Sequence, residues 1–150
     1  MRLVTKPFGE IDVDERQRIH FPFGILGFES LHEYVLLDSS RPPFYWLQSV
    51  ERPEIAFVLI DPRVFRPEYA PEVAAQELEE IDLTDPEEML VFAIVTVPQD
   101  QALMTANLQG PIIINRHTKH GRQSISLNPK WKVRHYILDE LAQKVSDQAC

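Results

Sequence analysis

Short segments rich in apolar and β-branched residues recur along the chain, and residues typical of turns separate them. The longest, Leu90 to Val97, is almost wholly apolar and predicts a central β-strand. Arg18 to Phe21 alternates polar with apolar residues, as a half-buried strand does. Twelve prolines fall mostly between such segments, where they interrupt regular structure. Short strands at this spacing predict a mainly β fold, a small antiparallel β-barrel that is closed or nearly closed.

Further segments of the same composition complete the predicted barrel. They are Arg2 to Phe8, Glu10 to Val13, Tyr34 to Leu37, Phe44 to Val50 and Ile55 to Ile60. Near the C-terminal end, Ile112 to Ile114 and Ser124 to Leu127 are predicted to pair as a hairpin around Lys119, His120 and Gly121.

One or two short helices are predicted to accompany the strands. The first runs from about Val73 to Ile81, with its apolar residues on one side and its glutamates on the other. The second lies near Tyr136 to Val145, where apolar residues recur at helical spacing. We therefore expect a β-barrel domain over residues 1–137 and a C-terminal helical tail over residues 138–150. No repeat or linker indicates a second folded domain.

Charge is strongly segregated along the chain. No Lys or Arg occurs from Pro67 to Asn115, which holds ten carboxylates, whereas Gln101 to Leu138 holds six cations and no Asp or Glu. Such segregation predicts an acidic face and a basic face that steer partners of opposite sign. The net charge of -8 opposes binding of phosphates by the whole surface, so a basic protein is the better partner.

The termini and the cysteine content indicate a cytoplasmic protein. The only cysteine is Cys150, the last residue, so no disulfide can form within the chain. The first residues lack the apolar run of a signal peptide, and no apolar stretch is long enough to span a bilayer. We expect no association with membranes.

Three histidines are the candidates for a metal site. His117 and His120 lie three residues apart, and His135 could return to their side. Cations beside the first two oppose the binding of a metal ion, namely Arg116, Lys119 and Arg122. Solvated loop histidines are therefore the preferred interpretation, and we expect no bound metal.

Motifs for other kinds of catalysis are weak. Ser49, Ser124 and Ser126 lie in predicted strands, and no base is assigned to any of them. The Gly24 to Gly27 segment lacks the Lys and hydroxyl of a phosphate-binding loop and predicts a tight turn. Acidic residues from Asp82 to Glu88 could supply a catalytic pair, but a solvated loop is the simpler interpretation. The sequence predicts neither enzyme activity nor a cofactor.

Binding of single-stranded RNA is the alternative function. Lys130, Lys132 and Arg134 surround Trp131 and Tyr136, as in platforms that combine charge with base stacking. We favour the simpler interpretation, in which the two aromatic residues anchor the returning chain to the barrel.

Five motifs in order resemble the flagellar assembly factor FliW family. The resemblance extends from Met1 to about Ile137, and the chain departs from the common family pattern at Leu26, Gly110 and Tyr136. The motifs are Phe23 to Glu29, Pro43 to Ser49, Asp61-Pro62 with Pro67 to Tyr69, Val91 to Pro98, and Thr105 to Asn115.

The resemblance implies a non-enzymatic binding protein with a small β-barrel-like fold. Proteins of this family bind flagellin, the flagellar filament protein. When they are free of flagellin, they bind and antagonise CsrA, an RNA-binding repressor of flagellin translation. Export of flagellin then releases the protein to bind the repressor, which couples synthesis to assembly. The resemblance leaves open the oligomeric state and whether the two partners share a surface.

Two groups of residues are the candidate contacts. A repressor that binds RNA phosphates presents Lys and Arg, so the segment from Pro67 to Asn115, named here the acidic segment, is complementary to it. Its candidate residues are Glu77, Glu79, Glu80, Asp82, Asp85, Glu87 and Glu88. For flagellin, whose termini pair as amphipathic helices, we expect a less charged groove. Alternation places Phe44, Trp46 and Gln48 on one strand face, and these three with Asn107 are the candidates. For Asn107 and for Asn115, a hydrogen bond that closes a turn is nevertheless the preferred interpretation over contact with a partner.

Overall fold

Strands dominate the computed structural model, which describes residues 1–149 and the side chains of residues 1–144. The strands are β1 (Arg2–Thr5), β2 (Gly9–Asp12), β3 (Arg18–His20), β4 (Glu33–Asp38), β5 (Phe44–Ser49), β6 (Ala56–Ile60), β7 (Met89–Thr96), β8 (Thr105–Ala106), β9 (Ile112–Asn115), β10 (Gly121–Gln123) and β11 (His135–Tyr136). The α-helices are α1 (Ala75–Glu79) and α2 (Ile137–Ala149), and single 3-10 turns cover Glu15–Gln17, Pro62–Val64, Pro86–Glu88 and Gln101–Leu103. The predicted mainly β class is confirmed.

One large antiparallel sheet carries the fold. Its strands follow the order β10-β9-β7-β6-β5-β4-β3, β8 pairs with β7, and β11 pairs with β8. The edge strands β3 and β10 meet at one parallel bridge between His20 and His120, where the His20 N–H donates to the Lys119 carbonyl at 2.8 Å. The sheet therefore curls almost into the predicted barrel without closing. The hairpin of β1 and β2 forms a separate small sheet.

The inner face of the curled sheet holds the first core. Leu47, Leu59 and Ile112 are wholly buried there, together with Tyr34 and Phe21, whose rings meet edge to face at 5.2 Å. The predicted central position of β7 is confirmed, because it pairs with β6 on one side and with β8 and β9 on the other. Apolar side chains line both faces of β7, which requires that both faces of the sheet be covered.

Two separate layers cover the outer face. The β1–β2 hairpin contributes Leu3, which packs with Val35 and Leu37 of the large sheet. At the other end of the face, Ile137 of α2 and Phe65, which follows the 3-10 turn Pro62–Val64, pack with Val91, Val95 and their neighbours. A strip of the outer face between the two layers stays partly open.

The second strand of the C-terminal hairpin begins three residues earlier in the structure than the sequence predicts. Ile112–Asn115 pairs with Gly121–Gln123, and the predicted strand Ser124 to Leu127 is wrong. Asn115 closes the turn, because its side-chain carbonyl accepts hydrogen bonds from the N–H groups of His117 (2.9 Å) and Thr118 (3.2 Å). After Gln123 the chain leaves the sheet, and the Leu127 N–H donates to the Glu72 carbonyl at 2.6 Å.

The two predicted helices form with different lengths. The first is shorter than predicted, because the chain turns into the left-handed region at Asp82 (φ 58°), and no side chain caps the start of α1. The second, α2, is anchored to the body, since the Arg66 guanidinium pairs with Glu140 at 2.6 Å and the Lys144 ammonium donates to the Val64 carbonyl at 3.0 Å. No helix of residues 1–149 has both the length and the apolar character needed to cross a bilayer, and Cys150 lies outside the described residues.

Two buried tyrosines provide a test of the core. The Tyr69 hydroxyl donates to the Leu108 carbonyl at 2.9 Å, whereas the Tyr34 hydroxyl is buried with no partner among the described residues. We predict that Tyr69→Phe lowers the free energy of unfolding by about 1–2 kcal/mol, because it leaves a buried carbonyl unpaired, and that Tyr34→Phe is neutral or stabilising. Urea denaturation followed by circular dichroism measures both. Equal losses in the two variants would contradict the prediction.

The same tyrosines predict how stability depends on alkaline pH. Burial raises the pKa of Tyr34 and of Tyr69 to about 12, and the charge of Glu51 contributes at Tyr34. An unfolded tyrosine titrates near pKa ~10. The folded state therefore favours the neutral phenols, and their contribution is complete below about pH 10 and is lost as the pH rises towards about 12.

Candidate functional site

The acidic segment is held against the large sheet by its apolar residues. Ile81 and Leu83, which follow α1, are buried against Ile113 of β9. Asn115 strengthens this attachment, since its side-chain amide donates to the carbonyls of Ile81 (2.9 Å) and Asp82 (3.2 Å). The carboxylates of Glu79, Asp82 and Asp85 are exposed on the side of this segment that faces away from β9.

Arg122 of β10 neutralises part of that segment. Its guanidinium pairs with Glu77 at 3.4 Å and with Glu80, and its side chain is only 15% exposed. The Phe23 ring covers the same guanidinium, with its centroid 5.0 Å from the Arg122 Cζ atom. Two of the seven candidate carboxylates are thus committed to an internal ion-pair cluster. The separate acidic and basic faces predicted from the sequence partly cancel, because the two segments fold against each other.

Other carboxylates of the segment have local partners. Glu88 lies 3.3 Å from His117, and Asp82 lies 3.8 Å from His120. The Asp85 side chain accepts the Glu87 N–H at 3.0 Å and so caps the 3-10 turn that follows. Among side chains of residues 1–144, no ion-pair or hydrogen-bond partner contacts the carboxylate of Glu79 or of Glu87. The exposed candidate carboxylates that Arg122 does not pair are named here the acidic rim, and they are Glu79, Asp82, Asp85 and Glu87.

A groove of about 440 Å³ lies on the outer face of the sheet, in the strip between the two covering layers. Trp46 borders the layer built on the β1–β2 hairpin, whereas Phe44 and Val58 border the layer built on α2. Trp46 and Val58 are cross-strand partners, so their side chains share a face. The lining is completed by Ser39, Ser40, Arg41, Val97, Gln101 and Met104.

Two of the four residues predicted to contact flagellin thus line the groove, and two do not. The Gln48 side chain is wholly buried, where its amide accepts the Lys6 N–H at 2.8 Å and donates to the Pro53 carbonyl at 3.0 Å. The Asn107 side chain accepts the N–H groups of Gln109 (3.1 Å) and Gly110 (2.9 Å), which is the turn-closing alternative. Both residues have internal roles, so we omit them from the groove surface.

Sequence reasoning missed seven of the nine residues that line the groove. Val58 lies on β6, Val97 directly follows β7 and Met104 directly precedes β8, and only the strand order brings them beside Trp46. One signal was available for Val97, which is apolar yet directly precedes a proline at the end of the central strand. Its side chain is indeed 48% exposed.

The residues considered for a metal site are not brought together, and of the two aromatic residues considered for RNA stacking Trp131 is buried, whereas Tyr136 is exposed. His135 is buried and lies 3.0 Å from Glu140, away from the ion pairs of His117 and His120 with the acidic segment. No group of three or more potential ligands within the described residues is arranged to hold a metal. Trp131 is only 3% exposed, because Arg66 and Lys130 stand over its rings, so it presents no free face to a base.

The acidic rim and the groove lie at opposite ends of the central strand. Asp85 and Glu87 lie within the four residues before β7, whereas Val97 directly follows its last residue. A strand of eight residues extends about 23 Å between these ends. The two surfaces are therefore separate.

Comparison with known proteins identifies the class to which this fold belongs. A crystal structure of the flagellar assembly factor FliW superposes with a TM-score of 0.84 at 36% sequence identity, covering 91% of this chain and 96% of that one. This antiparallel fold is thus that of the flagellar assembly factors. The family described as "FliW protein" matches residues 2–137, and the chain belongs to the FliW family.

Relatives named "Flagellar assembly factor FliW" match nearly the whole chain. The one from Treponema denticola is 42% identical over 141 residues, which is 94% of this chain and 96% of the relative. The one from Leptospira interrogans serogroup Icterohaemorrhagiae serovar Lai is 44% identical over 147 residues, which is 97% of this chain and 98% of the relative. The resemblance noted in the sequence is confirmed.

The ion-pair cluster on β10 predicts different effects for two adjacent glutamates. Glu80→Gln should lower the free energy of unfolding by about 1 kcal/mol, because it weakens the pairing of the partly buried Arg122. Glu79→Gln should change it by less than about 0.5 kcal/mol, because its carboxylate is exposed and free. Urea denaturation at matched ionic strength compares the two variants. A Glu79→Gln loss as large as that of Glu80→Gln would contradict the assigned pairing.

Proposed function

We propose that this protein is a non-enzymatic, cytoplasmic flagellar assembly factor that binds flagellin in the groove and binds CsrA through the acidic rim. The proposal is carried by the groove, a mainly apolar surface between two layers that pack on the sheet. Membership of the chain in the FliW family supports a role in flagellar assembly. Flagellin and CsrA are proposed as the partners because the motifs of the sequence resemble those of this family.

The groove suits an amphipathic helix. Its floor is formed by the side chains of Phe44, Trp46 and Val58, which leave a half-exposed apolar strip on the sheet. Its sides are the loop at Ser39 and the 3-10 turn Gln101–Leu103. A helix that lays an apolar face into such a strip buries surface on both partners without any rearrangement of the sheet.

The acidic rim suits a basic partner that binds RNA. Four exposed carboxylates remain there after the internal pairing by Arg122, and the chain has a net charge of -8. Such a surface accelerates association with a positively charged protein and orients it. Bound CsrA would have its own cations occupied and could not present them to RNA phosphates.

Separate surfaces require that the two partners influence each other indirectly. Because the groove and the acidic rim lie at opposite ends of β7, flagellin and CsrA can exclude each other only through their bulk or through the sheet between them. Either route makes the affinity for one partner depend on the other, and the dependence is reciprocal. Release of flagellin on export then increases the fraction of protein that can bind CsrA.

Val97 provides a test of the groove that avoids the core. Val97→Lys places an ammonium group in the apolar strip at a half-exposed position, so we expect at least tenfold weaker flagellin binding with little change in stability. Val4→Lys is the matched control, because Val4 is 51% exposed on β1 and does not line the groove. Isothermal titration calorimetry with purified flagellin gives both affinities. Equal affinities of the two variants would exclude the groove.

Glu79 and Glu87 provide the corresponding test of the acidic rim. Replacing both with Lys should weaken CsrA binding chiefly at low salt, by about tenfold, since neither carboxylate has an internal partner in the described chain. Asp139→Lys on α2 is the control for a change of charge away from the rim. Surface plasmon resonance at several salt concentrations measures the association rates. An unchanged affinity at low salt would remove the acidic rim from the proposal.

A further inference from the structure

The groove has one charged residue in its lining, Arg41. The residue lies in the loop between β4 and β5, and its backbone is fixed by Ser39. The Arg41 N–H donates to the Ser39 hydroxyl oxygen at 2.9 Å, and that hydroxyl donates to the Arg41 carbonyl, also at 2.9 Å. The Phe44 N–H donates to the same carbonyl at 3.1 Å. These hydrogen bonds hold the backbone of Arg41 in place beside the aromatic floor of the groove, so the position of its Cα atom is defined.

Among the side chains that the structure describes, the guanidinium of Arg41 has no ion-pair partner. Within residues 1–144, no carboxylate lies within 4.0 Å of it, although the chain has 23 acidic residues against 15 basic ones. Arg66 and Arg122, whose guanidinium groups lie over aromatic rings, are in contrast each paired with two carboxylates. Arg41 is thus a free cation held at one side of an apolar surface.

We propose that Arg41 is the specificity-determining residue of the groove, which selects an amphipathic helix carrying a carboxylate in its last turn. Guanidinium groups pair with carboxylates through two parallel hydrogen bonds, so the contact has a defined geometry. The C-terminal end of a helix carries partial negative charge and unpaired carbonyls, whereas its N-terminal end repels a cation. Arg41 therefore also sets the direction of the bound helix, with its C-terminal end at the loop between β4 and β5.

This inference rests on the proposed docking of a helix in the groove and adds the chemistry that the occupant must have. An apolar strip alone accepts a helix in either direction, because apolar contacts are not directional. A single charge beside the strip removes that ambiguity, and it discriminates among helices that have the same apolar face.

Synthetic helical peptides provide the test. Three peptides share one apolar face and differ only in having Glu in the last turn, Glu in the first turn, or Gln at both positions. We expect the wild-type protein to bind the first peptide about two- to fivefold more tightly than the Gln peptide, which is the range of an exposed ion pair. Arg41→Gln should abolish that preference, and Arg41→Lys should keep part of it. Arg134→Gln, which removes an exposed charge outside the groove, should leave the preference intact.

The outcomes separate this inference from the proposal on which it rests. Equal binding of all three peptides, or a preference that survives Arg41→Gln, would overturn the role of Arg41 while leaving the groove as a helix site. A preference for Glu in the first turn would overturn the direction. If no peptide binds, or if ultracentrifugation shows a dimer that Val97→Lys dissociates, the helix-docking proposal fails as well. Denaturation curves confirm that the variants are folded.

Discussion

The structure depends on burial of both faces of the central strand. Because β7 carries apolar side chains on its two faces, the sheet must be covered on both sides. Curling of the sheet covers the inner face, where Leu47, Leu59 and Ile112 are wholly buried. The outer face is covered by two elements distant in sequence, the N-terminal hairpin and the layer with α2. The groove is the part of that face which neither layer covers.

Charge plays two roles in this molecule. The segregation in the sequence is partly used internally, since Arg122 and His117 of the basic segment pair with Glu77, Glu80 and Glu88 of the acidic segment. These pairs help to attach the acidic segment beside β9 and β10. Exposed charge is left over at both ends of β7, as the acidic rim at one end and as the unpaired Arg41 at the groove near the other. The surfaces that we propose for partners are built from these charges and from the exposed parts of the apolar side chains beside Arg41.

Much of the fold followed from local patterns in the sequence, but the groove did not. The period of two in Phe44 to Ser49 correctly put Phe44 and Trp46 on one face, and it also included Gln48. Periodicity cannot tell that a hairpin from the N-terminus covers that face at Gln48 and leaves it open at Trp46, because coverage depends on long-range packing. The return strand begins at Gly121, three residues before the predicted Ser124, because the side chain of Asn115 closes a tight turn over residues 115–118. Likewise, Arg122 pairs with Glu77 and Glu80 of the acidic segment only because the strand order places β10 beside α1, and local sequence patterns do not reveal the strand order.

The central claim is that two preformed and separate surfaces bind different macromolecules. It is tested most directly by backbone NMR of the labelled protein, titrated first with flagellin and then, in a separate sample, with CsrA. The account predicts that flagellin shifts the amides of Phe44, Val58 and Val97 and spares those of Glu79 and Glu87, and that CsrA gives the reverse pattern. Identical sets of shifted amides with the two partners, or shifts confined to neither surface, would contradict it.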